Sequence, residues 1–191
     1  MRSRTDGAIA AATSIQQQPG PVAGLMAAVL TTLDAGGTVF TCGNGGSAAE
    51  ALHLAEELIG SYRDHDRPAY RAVCLSADPT ALTCIANDFG YEAVFERQIV
   101  ALGRPGDLLI GLSTSGNSVN VVRALDAARA AGLQTASLLG GSPGACAERS
   151  DHVIQVAAPD GGSVQEGHLM LVHLVCEAVE RAWAVAARAT D

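Results

Sequence analysis

The stretch LLIGLSTSGNS, residues 108–118, joins a short apolar run to a loop rich in hydroxyl side chains. An uninterrupted apolar run over 108–112 is typical of a strand that is covered on both faces of its sheet. A helical segment follows over about 118–131 and stops at Gly132. The stretch therefore predicts one strand–loop–helix unit of a parallel sheet.

The same unit recurs along the chain. Strands are predicted at 38–42, 72–76, 108–112, 134–139 and 152–157. Helices are predicted at 8–17, 21–35, 47–60, 91–102, 118–131 and 164–188, with another that begins at Asp78-Pro79 and a short one after Gly144. We expect an α/β fold with a doubly wound, five-stranded parallel sheet flanked by helices. Residues 1–191 would form a single domain with an N-terminal helical arm over about 1–35.

Composition excludes several classes of protein. Hydrophobic residues make up 48% of the 191 residues, which excludes a disordered chain. The formal net charge of -8 gives no basic surface for nucleic acid, so a phosphate site would need local N–H groups and hydroxyls. No apolar run is long enough to span a membrane, and the N-terminus lacks a signal peptide. Five cysteines without a C-x-x-C pair predict reduced thiols and a cytoplasmic location.

Two loops rich in Gly and Ser follow predicted strands, at the edge of the sheet where such folds bind ligands. The loop Gly43–Ser47 leads into a helix whose free N–H groups could bind an anion, although a plain tight turn fits equally well. The loop Ser113–Ser118 carries four hydroxyl residues in six positions. A helix cap at Asn117 or Ser118 would need only one of them, so this loop favours an anion site.

Polar side chains on two helices suggest further chemistry. His53 and Glu57 stand one turn apart and suit a divalent metal, or form a surface pair. Their face would lie opposite an apolar stripe formed by Ala48, Leu52, Ala55 and Ile59. The last helix carries Gln165, Glu166, His168 and His173 among apolar residues, as ligands or as core histidines with satisfied hydrogen bonds.

A third polar segment, Asn87-Asp88, is predicted to lie between two helices. It forms either a simple turn or a polar pair that meets substrate hydroxyls.

Six segments together resemble the sedoheptulose 7-phosphate isomerase (phosphoheptose isomerase) family of SIS proteins. They are CGNGGS (42–47), ALHLAEEL (51–58), TCIANDFGYE (83–92), ALGRPGD (101–107), STSGNS (113–118) and VQEGHLMLVH (164–173). The resemblance implies an SIS fold and a ketose–aldose isomerase that converts sedoheptulose 7-phosphate to D-glycero-D-manno-heptose 7-phosphate through an enediol. It also implies one zinc ion per subunit and a homotetramer with active sites between subunits.

The resemblance also implies roles for individual residues. The metal ligands would be His53, Glu57, Gln165 and His173. Glu57 and His173 would be the acid/base pair. The substrate would be bound by Asn44, Gly45, Gly46, Ser47, Glu57, Asn87, Asp88, Ser113, Thr114, Ser115, Ser118 and Gln165.

Two features leave alternatives open. Relatives often carry Arg at the positions of Ser61 and Ser163, so a related phosphosugar of specialised metabolism is an alternative substrate. A non-catalytic SIS regulatory or binding protein is a second alternative, although such a protein would be expected to lack the metal residues. A sugar-binding domain of a transcriptional regulator would need a DNA-binding domain, for which 191 residues leave no room.

The spacing of two implied ligands sets a geometric condition. Gln165 and His173 are eight residues apart, about 12 Å along a straight helix. Either Gln165 lies in a bent first turn, or one ligand comes from another subunit.

Overall fold

Five parallel strands form one sheet in the order β2-β1-β3-β4-β5. The computed structural model describes residues 2–190. The strands are β1 (Val39–Gly43), β2 (Ala72–Cys74), β3 (Leu108–Ser113), β4 (Gln134–Leu139) and β5 (His152–Gln155). The helices are α1 (Arg2–Gln16), α2 (Pro19–Asp34), α3 (Gly46–Ile59), α4 (Pro79–Phe89), α5 (Glu96–Leu102), α6 (Val119–Ala130), α7 (Gly144–Ala147) and α8 (Gly161–Thr190). The predicted fold class is confirmed. No helix within residues 2–190 is both long and apolar enough to cross a membrane.

The sheet separates two hydrophobic cores. Alternate side chains of β3 point to opposite faces, so Leu108, Ile110 and Leu112 join one core and Leu109 joins the other. Helices α1, α2, α3 and α8 cover the first face, and α5, α6 and α7 cover the second. Burial on both faces explains why the strand is apolar at nearly every position.

The strand order places the two loops side by side. From β1 the chain first reaches β2 on one side and then returns to β3 on the other, where Gly43 pairs in register with Leu112. The neighbours β1 and β3 are therefore the point at which the winding reverses. Parallel sheets open a crevice there, at the carboxyl ends of the strands. Both loops that the sequence singles out lie at this crevice.

The region around Asn87 and Asp88 differs from the prediction. Asp78 caps α4 as expected, because its carboxylate accepts from the N–H groups of Thr80 and Ala81. The helix continues to Phe89, so Asn87 and Asp88 lie in its last turn and not between two helices. Gly90, with a φ of 88°, ends it, since the left-handed region suits glycine. The helix predicted at 91–102 divides into a 3₁₀ turn (Tyr91–Ala93) and α5.

The predicted apolar stripe of α3 is wrong except at Ala55, which is buried. The buried positions are Ser47, Ala51, Leu54, Ala55 and Leu58, whereas Leu52 and Ile59 are 45% and 52% exposed and Ala48 is half-buried. This helix packs against both the sheet and α8, so its buried face is set by two neighbours. Leu52 and Ile59 instead form an exposed apolar edge on the far side.

The loop at 113–118 is supported from behind by the segment that follows β4. A Cβ atom on Gly140 would lie 2.1 Å from the carbonyl oxygen of Thr114, a distance that real contacts exclude. Gly116 has a φ of 68° and faces the carbonyl of Pro143 in the same way. The shape of the hydroxyl-rich loop therefore depends on backbone packing that admits no side chain.

This close packing predicts a difference between adjacent glycines. Gly140→Ala should lower the free energy of unfolding by about 1–3 kcal/mol, because the added methyl group must displace the backbone of Thr114. Gly141→Ala is the matched control, since its nearest neighbour would be 3.8 Å away. Chemical denaturation of both variants measures the effect, and equal stability would contradict this account.

Candidate active site

The hydroxyl-rich loop turns three of its side chains toward one another. The Oγ atom of Ser113 lies 3.0 Å from that of Ser118 and 3.5 Å from that of Ser115. Ser118 occupies the N-cap position of α6, yet its side chain makes no capping hydrogen bond. Asn117 does not cap α6 either, because its side chain bonds to Ser115 and to the N–H of Ala145. The hydroxyls are thus grouped beside the N–H groups of a helix start, an arrangement that suits an anion.

The first loop is held by a network of amides. Asn44 and Asn120 of α6 exchange two hydrogen bonds of 2.9 and 2.8 Å between their side chains. The hydroxyl of Tyr91 donates to the same Asn44 oxygen at 2.8 Å. Neither Asn120 nor Tyr91 is among the predicted site residues, and a lone Asn within a helix gives no signal of such a role. The network leaves one N–H of the Asn44 amide free for a ligand.

The start of α8 closes the crevice. A Cβ atom on Gly161 would lie 3.9 Å from the Thr114 hydroxyl, so this helix begins beside the second loop. Asp160 caps it by accepting from the N–H and the hydroxyl of Ser163, and these hydrogen bonds lower the pKa of Asp160. Arg4 of α1 pairs with Asp160 at 3.0 Å and with Glu166 at 2.7 Å. The arm thus packs against the edge of the candidate site.

The structure brings three of the four predicted metal ligands together. The Nε2 atom of His53 lies 3.5 Å from Oε1 of Glu57, and the ring centroids of His53 and His173 are 5.4 Å apart. The Nε2 atom of His53 is buried and has no hydrogen-bond partner, so a ligand would satisfy an otherwise unpaired polar atom. Imidazole and carboxylate groups are donors that zinc accepts, and the set fits that ion.

Glu56 is a further carboxylate at this cluster. Its Oε1 atom lies 3.4 Å from Nδ1 of His53, and its side chain is 58% exposed. The sequence prediction omitted it, because only Glu57 stands four residues from His53 and so matches the spacing of the predicted pair. Glu57 is 14% exposed, which makes it the carboxylate that the protein encloses.

Gln165 lies elsewhere within this chain. Its amide packs on Gly46 so closely that a Cβ atom there would be 2.5 Å from Nε2. Helix α8 runs without interruption through Gln165 and His173, so the two lie about 12 Å apart along its axis. Gln165 is therefore beside the first loop, and His173 beside His53.

His168 and the pair Asn87-Asp88 serve other purposes in this arrangement. His168 is fully buried, its Nε2–H donates to the carbonyl of Leu139 at 3.1 Å, and its Nδ1 faces Glu50 at 3.7 Å. The Nε2 bond and the full burial support a core histidine, although Nδ1 and the facing Oε2 atom of Glu50 are buried without a hydrogen-bond partner. Asn87 donates to Asp88 at 2.7 Å, and both are exposed, without a hydrogen bond to the other candidate residues described in the structure.

Comparison with known proteins gives the family. The SIS-domain family model matches residues 6–140. The phosphoheptose isomerase of Akkermansia muciniphila is 50% identical over 150 residues, which cover 78% of this chain and 79% of that protein. The chain belongs to the phosphoheptose isomerase family. It is therefore a sugar-phosphate isomerase by class, and the resemblance drawn from its six motifs is confirmed.

Solved structures of this family have the same fold. The phosphoheptose isomerase of Neisseria gonorrhoeae is 36% identical and superposes with a TM-score of 0.86 over 93% of this chain and 94% of that chain. The enzyme of Francisella tularensis is 29% identical, with a TM-score of 0.88 over the same shares. The similarity extends over nearly the whole of both chains.

Four of the five thiols are shielded from solvent in this isomerase. Burial raises the pKa of Cys146 to about 11 and that of Cys176 to about 12. Cys42, on β1 beneath the first loop, is fully buried, and its pKa is raised further by the same cause. Cys84 on α4 is exposed. Since the thiolate is the reactive form, Cys42, Cys146 and Cys176 are unreactive at neutral pH.

We expect a thiol reagent to distinguish these cysteines. Ellman's reagent should modify one thiol per folded chain quickly, because Cys84 is exposed and the other four cysteines are buried. Those four should react only after unfolding. Cys84→Ser should remove the fast phase. A fast phase that persists in this variant would show that one of the buried sulfurs is accessible.

Proposed function

We propose that this chain interconverts sedoheptulose 7-phosphate and D-glycero-D-manno-heptose 7-phosphate through an enediol, with zinc assistance. The observation that carries the proposal is that His53 lies close to both Glu57 and His173. Its Nε2 atom is 3.5 Å from Oε1 of Glu57, and its ring centroid is 5.4 Å from that of His173. The two helices that carry these residues begin beside the two loops that suit an anion. A seven-carbon substrate needs such an arrangement, because its phosphate and its reacting carbons are at opposite ends of the molecule.

The phosphate would bind at the loop Ser113–Ser118. Ser113, Ser115 and Ser118 offer grouped hydroxyls, and the first turn of α6 offers N–H groups with a positive helix end. Thr114 and Ser47 border the same crevice. Because the chain is acidic overall, these local donors replace the basic side chains that commonly hold phosphate.

The reacting carbons would lie between Glu57 and His173. Isomerisation moves one proton between carbon 1 and carbon 2, so it needs a base near carbon and an acid near oxygen. The two side chains come from different helices, α3 and α8, and can therefore approach the substrate from two directions. We assign the carbon proton to Glu57 and the oxygen proton to His173. The free amide N–H of Asn44, with Asn87 and Asp88, would meet the sugar hydroxyls.

One zinc ion per subunit would be held by His53, Glu57, His173 and Gln165. When bound, it supplies a positive charge that polarises the substrate carbonyl and stabilises negative charge on its oxygen.

The fourth ligand supports a site shared between subunits of a homotetramer. Gln165 is about 12 Å from His173 along one helix, so the same chain does not offer both to one ion. A second subunit can supply the missing Gln165. Exposed apolar side chains of α3 and α8, namely Leu52, Ile59, Leu169 and Met170, support such an association.

The presence of serine, and not arginine, at positions 61 and 163 favours a second candidate substrate. Ser61 bonds to His65 at 2.6 Å, and Ser163 is fully buried beside Arg4, whose charge is already paired with Asp160 and Glu166. No free cation occupies either position, so a phosphosugar of different length from a specialised pathway is the alternative. The retained cluster of His53, Glu57 and His173 argues against a non-catalytic SIS protein. A cytoplasmic location stays a prediction.

The acid/base assignment predicts large losses of turnover. Glu57→Gln and His173→Ala should each lower kcat for sedoheptulose 7-phosphate by roughly 100- to 10,000-fold, the contribution usual for a proton-transfer group. Activity should also fall when a chelator is added. A discontinuous assay of the aldose product measures these effects.

Matched controls identify the cause of these losses. Glu148→Gln removes the same charge from an exposed side chain outside the cluster and should retain most activity. His65→Ala is the matched control for His173→Ala and should also retain most activity, since His65 is exposed in the loop after α3. Near-normal turnover in Glu57→Gln or His173→Ala would refute the assignment, and an inactive wild type would favour the alternative substrate.

The shared site predicts complementation between inactive variants. Chains with Glu57→Gln and chains with Gln165→Ala should both be inactive alone, and mixed oligomers should regain activity. The reason is that some sites would combine an intact Gln165 from one chain with an intact Glu57 from another. Unfolding and refolding the two chains together, followed by the isomerase assay, makes the measurement. Continued inactivity of verified mixed oligomers would place all ligands within one chain.

A further inference from the structure

The imidazole of His173 is held by rings and not by hydrogen bonds. Tyr62 stacks on it with centroids 5.5 Å apart and planes inclined by 25°. His53 meets it edge-on, at 5.4 Å and 70°. Within residues 2–190, the ring nitrogens of His173 make no hydrogen bond, although its backbone takes part in α8. A histidine that binds metal or moves protons is usually oriented by a hydrogen bond to its second nitrogen, and here stacking takes that place.

Tyr62 is itself held by its neighbour in the chain. The guanidinium carbon of Arg63 lies 4.6 Å from the centre of the Tyr62 ring, and Nη2 of Arg63 donates to the Tyr62 hydroxyl at 2.9 Å. The other terminal nitrogen of Arg63 pairs with Glu177 at 3.2 Å. Glu177 follows His173 by one turn of α8. Arg63 therefore connects the Tyr62 ring to the same helix that carries His173.

The loop after α3, which contains Tyr62, is held against both α3 and α8 by side chains with buried charges. Glu180 of α8 accepts from the N–H groups of Arg63 and Asp64 at 2.7 and 3.0 Å. Arg67, only 7% exposed, donates to the carbonyl groups of Glu57 and Leu58, the last turn of α3. Its Nε lies 3.9 Å from Glu180. The backbone next to Tyr62 is therefore fixed relative to both helices.

We infer that Tyr62 is a positioning residue for His173, fixing the plane of the imidazole in which it transfers a proton. The inference rests on the proposed function, because the stacking of Tyr62 on His173 affects catalysis only if His173 transfers a proton. The ring does the positioning. The hydroxyl accepts from the exposed Arg63, and the inference gives it no part in proton transfer.

The kinetic test separates the ring from the hydroxyl. Tyr62→Leu should lower kcat by roughly 10- to 100-fold with little change in KM, since a misplaced catalytic group costs rate more than binding. Tyr62→Phe keeps the ring and should retain activity. Tyr70→Leu is the matched control, because Tyr70 ends the same loop and packs near Arg67, away from His173. Wild-type turnover in Tyr62→Leu, or an equal loss in Tyr70→Leu, would overturn the inference.

A spectroscopic readout tests the stack without any turnover. In carbon–proton correlation spectra, the ring protons of His173, assigned by their absence in His173→Ala, should move downfield in Tyr62→Leu as the ring current is lost. They should keep their positions in Tyr62→Phe and Tyr70→Leu. Unchanged signals in Tyr62→Leu would refute the positioning even if His173 proves essential. Normal turnover in His173→Ala, with the shift present, would instead refute only the proposed function.

Discussion

The register of α3 against α8 is the constraint on which the candidate site depends. The two helices run side by side in the same direction, with three successive layers of contact. Gly46 faces Gln165, Glu50 faces His168, and His53 faces His173. Gly46 permits the first contact because any Cβ atom would strike the Gln165 amide. A slip of one turn would separate His53 from His173 and Glu50 from His168, and would thus break all three contacts at once.

The sequence predicts what depends on local pattern. Apolar runs such as Leu108–Leu112 locate the strands, and loops that follow two of them predict the edge of the sheet where the site lies. Helix arithmetic also separates Gln165 from His173 before any coordinates are known. These inferences hold because spacing along one element fixes them.

What depends on two elements at once was not predictable. The buried face of α3 follows from simultaneous packing on the sheet and α8, which left Leu52 exposed where periodicity alone predicted burial. The Ser118 hydroxyl lies against Ser113 and does not cap α6, and this contact depends on how the whole loop folds. Tyr62 meets His173 through the loop after α3, a polar segment without periodicity that Arg67 and Glu180 hold in place.

Assembly and electrostatics are connected through the surface of α3. The face that holds His53, 34% exposed, adjoins the edge that leaves Leu52 and Ile59 in solvent. In the proposed tetramer, burial of that edge would bring the Gln165 of a second subunit and would exclude water from the cluster. Because charges interact more strongly when water is removed, Glu57 and His173 would then act in a less polar medium than a single chain provides. One packing event would thus complete the ligand set and strengthen the interactions that the reaction needs.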